Sequence, residues 1–170
     1  MFGFDLIIKL LKLLNSDKHS PAQLAGGLSI GMIMGLTPWF SAHHLILFFV
    51  LLLFNVNFSM ALLGMGVFGI IGYLFDPIFH DFGFYLLQLD FMKETYTQWY
   101  NSAFILTRFN NTVLMGSFVA SIILSPIMFP IFLFLIKKYR KHVLRWFKDS
   151  FLGELLKESS TISLYDKVEG

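Results

Sequence analysis

Apolar residues along this chain gather into long uninterrupted runs, and polar residues collect between the runs and at the two ends. From Phe2 to Leu14 the residues Phe2, Phe4, Leu6, Ile7, Leu10, Leu11 and Leu14 recur at helical spacing, with Lys9 and Lys12 off that stripe. An amphipathic helix lying on a membrane surface, or packed on the protein's own helices, has this pattern. Asp5, Lys9 and Lys12 interrupt the run and no small-residue cleavage site follows, so the segment is expected to be retained rather than removed as a signal peptide.

Asn15 to His19 is a polar break. Ser20, Pro21 and Gln23 then supply an N-cap, a proline at the first helical position and a capping-box partner, so a helix is predicted to start there. From His19 through Phe75 the chain contains no Asp, Glu, Lys or Arg, a stretch of 57 residues that a soluble domain would not ordinarily carry. Thr37-Pro38 divides it, because proline removes a helical hydrogen bond and disfavours helix in the residue before it. The predicted pieces are Pro21 to Leu36 and Trp39 to Phe54. Each is roughly 24 Å long at about 1.5 Å per residue, short of the ~30 Å hydrocarbon thickness. The pair fits either a re-entrant hairpin or two short tilted crossings, with its broken backbone covered by protein or water.

Asn55-Val56-Asn57 predicts a tight turn, with Ser59 capping a third helix that reaches Phe75. Asp76-Pro77 is expected to end or kink it, and Ile78 to Leu89 to form a shorter helix. The segment from Asp90 to Asn111 mixes Lys93, Glu94, Gln98 and Arg108 with Tyr96, Trp99, Tyr100 and Phe104, which reads as an interfacial helix with aromatics at headgroup depth. Asn111 and Thr112 open a last apolar segment, uncharged to Ile136 and bent by Pro126 and Pro130. After it come Lys137, Lys138, Arg140, Lys141, Arg145 and Lys148. By the positive-inside rule this end is cytoplasmic, and Lys9, Lys12 and Lys18 put the N-terminus on the same side.

The expected architecture is therefore all-α: a polytopic membrane protein with a proline-broken helix pair, further membrane helices and amphipathic interfacial helices at both ends. Its parts are an N-terminal interfacial helix over 1–19, a membrane domain over 20–136, and a basic amphipathic helix with a flexible cytoplasmic tail over 137–170.

Composition sharpens this. Apolar residues make up 56% of the chain and charged residues 14%, against roughly 45–50% and about 25% in soluble domains. A net charge of +2 is too small to argue for nucleic acid. The chain lacks cysteine, which excludes disulfides, thiolate zinc sites and a cysteine nucleophile. No phosphate loop, dinucleotide fingerprint or nucleophile elbow is present, and no enzymatic activity or cofactor is expected.

Three groups of residues carry candidate chemistry. Gly27, Gly31 and Gly35 form a double G-x-x-x-G ridge, on which helices approach closely, within the chain or in a homo-oligomer, with Gly64, Gly69 and Gly72 as an internal counterpart. His43, His44, Asp76, His80 and Asp81 are polar groups in or beside apolar helix, where they serve structural hydrogen bonding or line a polar pocket. Their spacings match no metal motif. Lys137, Lys138, Arg140, Lys141 and Arg145 suit anionic lipid headgroups as well as topology.

The string Ser20-Pro21, Leu24-Ala25, Gly27, Gly31, Gly35, Pro38 and His43-His44, followed by Asn57 and Ala61-Leu62-Leu63-Gly64, resembles a family of small bacterial inner-membrane proteins known chiefly as a domain of unknown function. The resemblance departs at Asp76-Pro77, where family members often carry Asn-Pro. It implies a bacterial cytoplasmic membrane and a compact module, and assigns no catalytic residue. The expected function is a non-enzymatic cell-envelope module, with the lipid bilayer as its partner, that anchors an envelope protein or assists lipid movement. The alternative is an ion- or proton-coupled transporter using His43, His44, Asp76 and His80.

Overall fold

The computed structural model describes residues 19–148 apart from Phe40, with side chains described through Lys141. The expected interfacial helix over 1–19 (save His19), the tail from Asp149 onward and the side chain of Arg145 lie outside the described residues. Those residues divide between two units, His19–Leu133 and Phe134–Lys148.

Five α-helices and two short 3-10 turns make up the described chain, with no strand among them. Helix α1 spans Pro21–Leu36. The Gln23 amide donates to Ser20 Oγ at 3.2 Å and the Ser20 amide donates to Gln23 Oε1 at 2.8 Å. This reciprocal pair satisfies two donors that a helix start otherwise leaves unpaired. The helix stops before Pro38, and Thr37 takes an extended conformation. The buried Thr37 hydroxyl donates back to the Ile33 carbonyl at 2.9 Å, closing the exposed end of the last turn.

Helix α2 covers Ala42–Leu53, beginning three residues later than the sequence predicts. Ser41 stands at its N-cap, but the Ser41 hydroxyl donates to the Pro38 carbonyl instead of capping the helix. Helix α3 runs from Phe58 to Leu87 without a break. Its N-cap is Asn57, whose Oδ1 accepts from the Met60 amide at 2.9 Å, rather than Ser59. Pro77 is inside this helix, so Asp76-Pro77 does not end it and the expected separate helix from Ile78 is corrected. Proline there releases only the Tyr73 carbonyl. The turns beyond it are held by the buried Phe79 and by Gly83, which meets another helix.

The expected interfacial helix over 90–111 is broken. Asp90–Met92 and Ala103–Thr107 are 3-10 turns, and only Lys93–Tyr100 is α-helical, here α4. Ser102 caps the second turn, and Arg108 takes a left-handed conformation, φ 56°, that ends it. Trp99 packs on Phe104 and Phe109, each at 5.6 Å between ring centroids. The Tyr96 hydroxyl donates to the Leu86 carbonyl at 3.1 Å, tying α4 to the end of α3. Burial raises the Tyr96 phenol above its ordinary pKa.

Helix α5 runs from Thr112 to Lys148, through Pro126 and Pro130 and on through the basic segment. Asn111 Oδ1 accepts from the Leu114 amide at 2.9 Å and opens it.

Glycine contacts fix the helix directions. A Cβ on Gly27 would strike Asn57, on Gly31 Ala61, and on Gly35 Met65 and Gly69. Numbers rise together on both helices, so α1 and α3 run parallel. Parallel neighbours need a return path, and α2 provides it. Against α5 the order reverses. Gly83 meets Thr112, Gly116 meets Phe79, and Phe68 meets Phe132 at 5.9 Å between centroids, so α3 and α5 are antiparallel.

Helix α1 is the most enclosed element, with Leu24 and Ala25 fully buried. Helix α2 instead leaves Leu45, Ile46, Phe49, Leu52 and Leu53 more than half exposed. Two helices, Phe58–Leu87 and the Thr112–Lys141 part of α5, are long and apolar enough to cross a membrane.

Candidate functional site: a lateral groove and a buried histidine pair

The ridge of Gly27, Gly31 and Gly35 is spent inside the chain. With no side chains between them, the α1 and α3 backbones touch, and Gly64 and Gly72 on α3 meet Leu28, Gly31, Gly35 and Leu36 in return. A second crossing of the same kind, Gly83 against Gly116, escaped the sequence reading. Its signal is two four-residue steps, Phe79 to Gly83 and Thr112 to Gly116, that lie on different helices. Beside this crossing His80 Nδ1 lies 2.6 Å from Thr112 Oγ1.

The five polar residues do not share one setting. His43 is 6% exposed and packs on the Phe118 ring of α5 at 4.7 Å and on His44 at 5.0 Å between centroids. His44 Nε2 lies 2.9 Å from the Met34 carbonyl. A carbonyl can only accept, so Nε2 carries the proton and, in the neutral ring, Nδ1 carries a lone pair. His44 Nδ1 and His43 Nε2 are both buried without a hydrogen-bond partner. His80 is exposed beside Thr112, Asp76 is half-buried on α3, and Asp81 is exposed. Among the described residues no three His, Asp or Glu side chains are grouped to hold a metal.

Between α1, the end of α2 and the middle of α5 lies an open groove of about 770 Å³. Ala22, Gly26, Ile30 and Ile33 form one wall, Val50 and Phe54 a second, and Ile122, Pro126 and Phe129 the third. Its polar groups are uncharged: Gln23, Ser29, Asn55 and Ser125. The Ser29 hydroxyl is engaged by the Ala25 carbonyl at 2.9 Å. None of the five polar candidates lines this groove. Composition alone does not reveal it, because its walls come from three helices whose relative placement depends on the parallel α1–α3 pairing.

In the second unit Lys137, Lys138 and Lys141 surround a smaller concavity of about 330 Å³ with Phe134. Lys138 Nζ stands 5.8 Å from the Phe134 ring centroid.

Among the described residues these features define an all-helical fold with two long apolar helices, a glycine-sealed core and an uncharged lateral groove. The chain belongs to a bacterial family described as "Uncharacterized protein conserved in bacteria (DUF2062)", whose model matches residues 5–145. It is 30% identical over 115 residues to an uncharacterized protein of Treponema pallidum (strain Nichols), covering 67% of this chain and 70% of that protein. No solved structure matches it.

Proposed function

We propose that this chain is a non-enzymatic module of the bacterial inner membrane that takes a lipid hydrocarbon chain into the groove between α1, α2 and α5, and so assists lipid movement. The groove carries the reading. Its volume of about 770 Å³ falls in the roughly 300–1,000 Å³ range of small-ligand pockets. Its walls are aliphatic and aromatic, and its few polar groups carry no charge.

Membrane placement is supported by how little the long helices bury. The most apolar windows of α3 and α5 are only 22% and 17% buried. Helices that are apolar all round and left this open need a nonaqueous surrounding. In this reading α3 and α5 cross the membrane. Helices α1 and α2, about 24 and 18 Å long at 1.5 Å per residue, dip in and return on one side. Helix α4 and its aromatics rest at the opposite interface. The basic residues that follow Ile136 keep both ends cytoplasmic.

The test purifies the full chain, extracts co-purifying lipid and compares it with Ile30→Trp, which places an indole in the groove. Retained lipid should fall several-fold in the variant while thermal stability stays near wild type. Equal retention in both proteins refutes the groove as the lipid site. Because the native chain has no cysteine, single-cysteine labelling reads topology without background. Asn101→Cys should react only from the periplasmic side, and labelling from the cytoplasm overturns the orientation.

A further inference from the structure

The histidine pair asks for a ligand of particular chemistry. His44 Nδ1 presents a lone pair, because its Nε2–H is committed to the Met34 carbonyl. His43 Nε2 is likewise buried and unpartnered. Leaving such groups unsatisfied costs their full desolvation, so native interiors rarely do so. No Asp, Glu, Lys or Arg occurs between His19 and Phe75, the stretch that contains both rings. Within that stretch a buried anion would find no countercharge, and a cation would need more ligands than two imidazoles. A hydroxyl fits both nitrogens without charge. Its O–H donates to His44 Nδ1, and its oxygen accepts from His43 Nε2–H in that tautomer.

The pair does not line the groove, but its contacts adjoin residues that do. Ile33, a groove wall, directly precedes Met34, whose carbonyl holds His44. Ile122, another wall, lies one helical turn beyond Phe118, which packs on His43. Pro126 also lines the groove, and its missing N–H leaves the Ile122 carbonyl without its helical donor, adding an acceptor on that wall.

We propose that the His43–His44 pair binds the hydroxyl of an uncharged long-chain lipid alcohol whose hydrocarbon lies in the groove. The inference rests on the groove reading above and adds the class of headgroup. The same hydrogen-bonding chemistry is available to a buried water, and the experiment separates the two sources.

Full-length protein in lipid nanodiscs is irradiated with a long-chain alcohol carrying a diazirine on its chain, or with the methyl ether of the same probe. The alcohol should label peptides of α1 and α5 roughly tenfold more efficiently, about what one to two neutral hydrogen bonds are worth. His43→Phe, which keeps an aromatic ring against Phe118, should bring the alcohol down to the ether's level and leave ether labelling unchanged. Equal labelling by both probes in the wild-type protein overturns the hydroxyl site, assigns the pair to water and leaves the groove standing. Labelling of those peptides by neither probe removes the groove reading, and this inference with it. The wild-type comparison needs no variant, so a folding defect in His43→Phe does not shield the proposal.

Discussion

Gly31→Ala tests the α1–α3 seam most directly. A Cβ on Gly31 would strike the Ala61 carbonyl oxygen first, and would lie 2.8 Å from the carbonyl carbon and 2.9 Å from the Cα. Carbon atoms rest at about 3.5–4.0 Å. The obstacle is backbone, so no side-chain rotation relieves it, and the carbonyl oxygen, the nearest atom, requires the helices to part by about 1 Å. A gap of that size forfeits about a quarter to a half of each dispersion well; taking the seam as equivalent to one buried leucine puts about 40–60 contacts at stake, at about 0.1–0.2 kcal/mol each. The loss is about 2–3 kcal/mol. Alanine returns about 1 kcal/mol through helix propensity, for a net destabilisation of about 1–2 kcal/mol. Gly66 is the matched control, with open space around its Cβ position. Gly66→Ala should keep only the propensity gain. Reversible denaturant unfolding in mixed micelles, followed by circular dichroism, should separate the two variants by about 2–3 kcal/mol. Equal midpoints for the two would refute the parallel glycine seam, and with it the groove that the seam positions.

Further outcomes follow from the same contacts. Gly116→Ala should destabilise by about 1–3 kcal/mol, as overpacking does, and this loss should not add to that of Gly83→Ala, since both open one crossing. Ser20→Ala should cost about 1 kcal/mol through the lost cap, measured by the same unfolding titration. Pro77→Ala should leave topology unchanged and stability equal or higher, because α3 is already continuous there; a cysteine-labelling pattern shifted beyond residue 77 would contradict it. Tyr96 has its folded pKa raised by burial. Stability from its protonated form is therefore present below the unfolded value and lost as pH rises through the folded one. Tyr96→Phe should remove that alkaline component from the stability profile.

The sequence was most legible where local chemistry decides the outcome. Ser20, Pro21 and Gln23 encode a helix start in adjacent residues, and Pro38 encodes its stop, so α1 matches its prediction residue for residue. Proline was misread at 77 because its local cost is one hydrogen bond. The deciding contacts, Phe79 and Gly83 against α5, come from residues more than thirty positions away. Asn57 was passed over as a cap because Asn55-Val56-Asn57 reads as a turn, yet the same side chain that suits a turn also accepts from the Met60 amide. At the candidate site, His43 and His44 were visible as polar residues in an apolar helix. The partners they meet, Phe118 for His43 and the Met34 carbonyl for His44, were not, since helix spacing relates residues along one axis and says nothing about which faces meet.

The parallel pairing of α1 with α3 imposes an order on the making of this protein. Residues 21–36 emerge from the ribosome first, but the surface that receives their glycines begins at Asn57, whose amide donates to the Gln23 carbonyl at 3.0 Å. Until α3 has been synthesised to about Gly72, the glycine face of α1 lacks the backbone it closes on. The α1–α2 hairpin therefore completes its packing only once α3 has arrived.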